Sequence, residues 1–215
     1  MSSPLNPADI PIYSSATQLP GELWEALASR PPAQAAAATG AQWDGQAYIL
    51  PMLGREYRVD PRARRVELVD DPGVDVGFEA GMVLVWTLGH STASPPAGRL
   101  VAPRELKGAE GFFVGPHALP TAGLARAFGP RPEALLQAGA RVGARAMDVA
   151  GAQAAVRFMA LPRVEMGVIV WSGDEEFGPE AAIVVDAGAG AHLAPDGVWA
   201  LCNLAARRLL EESDG

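Results

Sequence analysis

Residues 164–171 read Val-Glu-Met-Gly-Val-Ile-Val-Trp, and this run limits the fold more than any other segment. Side chains alternate along an extended strand, so Val164, Met166, Val168 and Val170 share one face while Ile169 and Trp171 share the other. A strand with apolar residues on both faces must be covered on both, which makes it a central strand rather than an edge. Ser172 to Glu176 then reads as an exposed turn, and Ala181–Val185 as a further strand. The rest of the chain has to supply partner strands and covering layers.

It contains both. Tyr57 and Val59 alternate with Glu56, Arg58 and Asp60, and Val66 and Leu68 alternate with Arg65 and Glu67, which predicts a β-hairpin with one wet face. Arg55 is the exception, a charge in the apolar register. Leu23, Trp24 and Leu27 fall at helical spacing within 22–29, and Ala33–Ala38 adds a turn or two. Met82, Val85, Trp86 and Leu88 predict a buried helix over 78–88. Further helices are expected at 119–128, 132–142 and 196–210, the last with an apolar stripe of Val198, Leu201, Ala205 and Leu209 and with Arg207 and Arg208 complementing its C-terminal dipole. Coexisting strand and helix periods give an α+β fold, a mainly antiparallel sheet with packed helices. A chain of 215 residues, 49% hydrophobic and 20% charged, fits one domain, expected over 19–215. Residues 1–18, with three prolines, are expected to form an extended arm.

The formal net charge of −8 and pI of about 4.9 argue against nucleic acid, whose phosphates require clustered cations, and against an anionic membrane surface. The apolar run 81–89 is far short of the roughly 20 residues of a spanning helix. No secretory pattern is present at the N-terminus, so a cytoplasmic protein is expected. Cys202 is the sole cysteine, which excludes an intrachain disulfide and a thiolate metal cage. On the apolar side of the last helix, it reads as a small buried hydrophobe.

No phosphate loop, nucleophile elbow or zinc-protease motif is present. Gly188-Ala189-Gly190 lacks the third glycine of a dinucleotide fingerprint. The densest unusual segment is 101–120, which holds three prolines, Phe112, Phe113, His117 and Lys107, the only lysine. A loop on a rigid scaffold can converge polar groups. In that reading His117 is a ligand or proton-transfer group and Arg104 holds an anion. In the alternative, which takes precedence, the segment is a packed Ω-like loop with His117 bonded to backbone. Trp171 followed by Asp174, Glu175 and Glu176 forms a second candidate, for a hard cation or an acid–base pair; an exposed charged tip needs only solvent, and that reading is preferred. His90, His117 and His192, with Asp186, have no spacing that predicts a zinc site.

Tyr-Arg-Val-Asp at 57–60, Pro-Arg-Glu-Leu at 103–106, Phe-Phe-Val-Gly-Pro-His-Ala-Leu-Pro at 112–120, Ala-Leu-Pro-Arg-Val at 160–164 and Trp-Ser-Gly-Asp-Glu-Glu-Phe at 171–177 occur in an order that resembles the prokaryotic family called domain of unknown function 3786, over residues 45–210. The resemblance implies a distribution among anaerobic bacteria and archaea. It also implies an association, through fused iron–sulfur segments, with corrinoid or one-carbon metabolism. This chain lacks the cluster cysteines, so electron transfer is not carried over, and the family supplies no catalytic residues.

The function is therefore open to three expectations. The first is an accessory or binding domain for a small anionic or tetrapyrrole-like ligand, or one that docks on a redox protein. Phe112, Phe113 and His117 would wall its pocket and Arg104 would supply charge. The second is a hydrolase or transferase using His117 with Asp174 or Glu175. The third is a protein–protein interaction domain.

Overall fold

The computed structural model describes residues 14–174 and 176–213. Helices α1 (Gly21–Ser29) and α2 (Pro32–Thr39) come first. Pro31-Pro32 separates them because proline cannot continue a helix yet suits its first turn. Gly40, at φ 77°, ends α2 in the left-handed conformation that glycine adopts without steric cost. Strands β1 (Gln42–Trp43), β2 (Tyr48–Met52), β3 (Arg55–Asp60) and β4 (Arg65–Leu68) follow as an antiparallel meander in that order.

The register places Tyr48 opposite Val59 and Val59 opposite Val66; Leu50 faces Tyr57, and Tyr57 faces Leu68. These residues form the inner face, and Arg55, opposite Met52, continues the same row at the end of the sheet. Asp60 Oδ1 accepts the backbone N–H groups of Arg62 and Ala63, both at 2.9 Å, and so shapes the β3–β4 turn.

Helix α3 (Phe78–His90) crosses the middle of the molecule, with Val83, Leu84, Val85 and Leu88 fully buried. It packs on α1 and α2. After it come β5 (Leu100–Val101), α4 (Thr121–Phe128), α5 (Pro132–Arg141), β6 (Arg145–Ala146), β7 (Ala154–Leu161), β8 (Val164–Trp171), β9 (Glu180–Asp186) and α6 (Pro195–Ser213). The second sheet is antiparallel, ordered β5-β9-β8-β7-β6, so the doubly apolar segment is its central strand. Helix α4 packs against β8 and β9, α5 against β6 and β7, and α6 runs across α3, α4 and α5. On the other face, Met147 reaches over Gly167, so one side of β8 is covered by helices and the other by the irregular segment preceding β7.

The strands thus divide into two antiparallel sheets, and the α+β expectation holds. Within the expected arm, Ala16–Gln18 form a 3₁₀ turn with Ser15 as its N-cap, Ser15 and Gln18 cap each other's backbone, and Ala16 is buried. Residues 1–13 lie outside the described residues.

Candidate functional site

A cleft of about 800 Å³ opens between the inner edge of the first sheet, the N-terminal turn of α3 and one side of α6. That volume falls within the range of small-molecule sites. Its floor is apolar, with Met52, Leu68, Phe78 and Met82 among the lining residues, and its polar groups cluster toward the two ends.

At one end are Arg55 and Tyr57 of β3 and Arg208 of α6. Burial pushes the Tyr57 phenol above its ordinary pKa, while the positive charges of Arg55 and Arg208 pull it down. The hydroxyl therefore stays protonated at neutral pH and can donate a hydrogen bond. It has no hydrogen-bond partner among the described residues. Arg208 is held by Glu212 at 2.7 Å and by Glu211 at 3.8 Å. Arg55 has no ion-pair partner among the described residues.

The remaining carboxylates of the cleft are engaged. Glu79 pairs with Arg207, joining α3 to α6; Asp75 accepts from Ser15 Oγ at 2.7 Å; and Asp196 accepts the Gly197 N–H at 2.9 Å. The N-cap of α3 is Gly77, which has no side chain to cap the helix. The first N–H of the helix, that of Phe78, donates to the Ser14 carbonyl at 3.3 Å, and Gly77, Phe78 and Glu79 line the cleft.

At the other end is His117, on the 3₁₀ turn Gly115–His117. Its ring stacks on Phe112, with centroids 4.4 Å apart and planes at 27°, and meets Trp199 of α6 edge-on at 5.5 Å and 84°. Trp199 Nε1 donates to the Ala118 carbonyl at 3.4 Å, fastening the loop to the helix. Phe113 lies edge-on to Phe112 at 5.3 Å and packs on the core.

Of the sequence candidates, Phe112, Phe113 and His117 come together, and His117 lines the cleft. Arg104 is exposed on the turn Pro103–Glu105 and does not line it. Trp171 ends β8, opposite Glu180. Asp174 Oδ1 accepts the N–H groups of Glu176 and Phe177, both at 2.8 Å, which holds its carboxyl below the ordinary range. The described residues of 171–177 contribute nothing to the cleft, and none hydrogen-bonds to His117; Glu175 lies outside the described residues.

His192 is buried with Nδ1 2.6 Å from Ser91 Oγ, and His90 stacks on Trp86 at 4.1 Å. No group of three His, Cys, Asp or Glu side chains among the described residues is placed to hold a metal. Cys202 is buried, and its thiol is pushed up to about 12. The bidentate Arg157–Glu165 pair, at 2.8 and 2.6 Å, borders a smaller recess of about 290 Å³. Among the described residues, no helix is long and apolar enough to cross a membrane.

The residues missed from sequence are Arg55, Tyr57, Trp199 and Arg208. One signal for them is present: Arg55 occupies the apolar register of β3, where a solvent-facing arginine does not belong.

Residues 31–208 match the model of a family described as domain of unknown function (DUF3786). No curated protein and no solved structure matches the chain.

Proposed function

The chain belongs to the DUF3786 family, and we propose that this member binds a small anionic ligand in the cleft between β3, α3 and α6. The observation that carries the reading is the Tyr57 hydroxyl, unbonded among the described residues and within electrostatic reach of Arg55 and Arg208. A protein of net charge −8 repels anions at long range, so selectivity has to come from local groups. Arg55 is such a group: a half-buried guanidinium on the inner face of a sheet, unmatched by a carboxylate among the described residues. The N-terminal turn of α3, which also lines the cleft, adds the partial positive charge of a helix N-terminus. An apolar floor of Met52, Leu68 and Met82 suits a ligand whose anionic group is attached to a hydrophobic body.

Two measurements test this. Native mass spectrometry and an absorbance spectrum on protein purified anaerobically from its own host report a co-purifying mass; a visible band would mark the tetrapyrrole-like class. Calorimetric titration with inorganic phosphate and with citrate compares wild type and Arg55→Ala. Losing one charge-assisted hydrogen bond should weaken binding by roughly ten- to a hundredfold. Equal affinities in the two proteins, or no oxyanion binding by wild type, would remove the reading.

A further inference from the structure

We infer, resting on the anion-cleft reading above, that the ligand carries a planar aromatic ring at the His117–Trp199 end and is an aromatic phosphate ester of mononucleotide length. The first observation is the shape of that end. His117 and Trp199 meet at 84°, so their rings form two walls of a corner, and both line the cleft. The corner is braced from behind. Phe112 stacks on His117 at 4.4 Å, and the indole N–H is tied to the Ala118 carbonyl. Phe78, at the start of α3, also lines the cleft. Braced rings with half-exposed faces are suited to stacking, which is tolerant of ring identity because every base has a π-face.

The second observation is distance. Trp199 and Arg208 lie on the same helix, nine positions apart, which corresponds to about 13 Å along the axis. A ligand using both ends has to place its ring and its anionic group well apart. Inorganic phosphate cannot span the two ends, whereas a nucleoside monophosphate has a ring, a spacer and a phosphate in the required order. The Arg207–Glu79 pair lies beside Arg208, one position away on α6, at the anionic end of the cleft. That pair further ties α3 to α6, which holds the width of the cleft.

The test is isothermal titration of the full chain with AMP, FMN, adenosine and inorganic phosphate, using wild type, Arg55→Ala, Trp199→Leu and His117→Ala. Leucine keeps apolar bulk at position 199, so the variant removes stacking with little loss of packing. At least one of AMP and FMN should bind wild type tenfold or more tightly than phosphate or adenosine. Trp199→Leu should erase that advantage while leaving phosphate affinity unchanged, and Arg55→Ala should weaken phosphate and nucleotide alike. If phosphate binds through Arg55 but neither nucleotide binds more tightly, the aromatic assignment fails and the anion reading stands. The aromatic assignment fails in the same way if the nucleotide advantage survives both Trp199→Leu and His117→Ala. If no probe binds, both readings fail.

Discussion

Asp186 is a carboxylate with no exposed surface, and its position is explained by what it accepts. Oδ1 takes the N–H groups of Ala97 and Gly188 and Oδ2 takes that of Gly98, all at 2.8 Å. It thereby fixes the end of β9 to the loop that leads into β5. In Asp186→Asn the amide nitrogen would present a donor to a donor, leaving at least one of these part-buried N–H groups without its acceptor. The expected loss is about 1–3 kcal/mol, read as a lower urea midpoint with an unchanged m-value; a variant as stable as wild type would show that the clamp contributes nothing.

His192 gives a pH dependence. Its pKa is lowered chiefly by burial and secondarily by the charge of Arg163, against smaller opposing effects of the Ser94 backbone and Asp186. The neutral Ser91 hydroxyl is its close neighbour. A histidine with a depressed folded pKa binds its proton more readily when unfolded. Stability is therefore fully present above the ordinary value of 6.5 and is lost as the pH falls below it, with a slope of at most about 1.4 kcal/mol per unit. The urea midpoint should be flat above neutrality and decline below it, and His192→Asn should flatten that decline. An identical slope in the variant would assign the decline to other groups.

At the scale of elements, one tight constraint is where the Ala16–Gln18 turn meets α3. A Cβ added at Gly81 would lie 2.6 Å from Ala16 Cβ and 3.2 Å from Ala16 Cα. The turn cannot simply retreat, because the Ala16 N–H is bonded to the Val76 carbonyl at 2.7 Å. Alanine in place of glycine favours a helix by roughly 0.5–1 kcal/mol, while overpacking costs about 1–3 kcal/mol, so the clash should prevail. Gly81→Ala is expected to lower the thermal midpoint, and Ala16→Gly in the same chain to restore part of it; a double variant no better than the single one would separate the two sites.

The same scale shows which elements sequence can display. The helices α1, α3, α5 and α6 and the strands β3, β4, β8 and β9 each repeat their period often enough to be read. β1, β5 and β6 have two residues each, too few to carry a period, and they exist because a neighbouring strand offers an edge. The division into two sheets depends on pairing over long range, which alternation does not encode. At the site, the aromatic loop was legible from its composition. Tyr57 reads as part of a hairpin face and Arg208 as a complement to the α6 dipole, while Trp199 lies outside the apolar stripe of that helix. Their convergence depends on α6 lying across the edge of the first sheet. Arg55 alone broke its local pattern.

For the whole molecule, the question is whether two sheets of separate topology make one cooperative unit. The Leu53 N–H, at the β2–β3 turn, donates to the Ala160 carbonyl of β7 at 3.0 Å. Leu53 adopts a φ of 53°, a left-handed conformation that costs a non-glycine residue about 1–2 kcal/mol, so the inter-sheet contact includes a local strain that the rest of the structure offsets. Buried residues of both sheets and of α3 belong to one hydrophobic cluster. α3 links α1 and α2 to α6, which in turn packs on the helices covering the second sheet. Neither sheet can lose its packing without exposing part of the other's core. Leu50→Ala in the first sheet and Met166→Ala in the second, both fully buried, should each cost about 2–5 kcal/mol. Both should lower the same single calorimetric transition, with circular dichroism and tryptophan fluorescence coincident. A biphasic melt, with Leu50→Ala shifting one phase and Met166→Ala the other, would show that the sheets unfold independently. The cleft between the first sheet and α6 would then open whenever the less stable half unfolds.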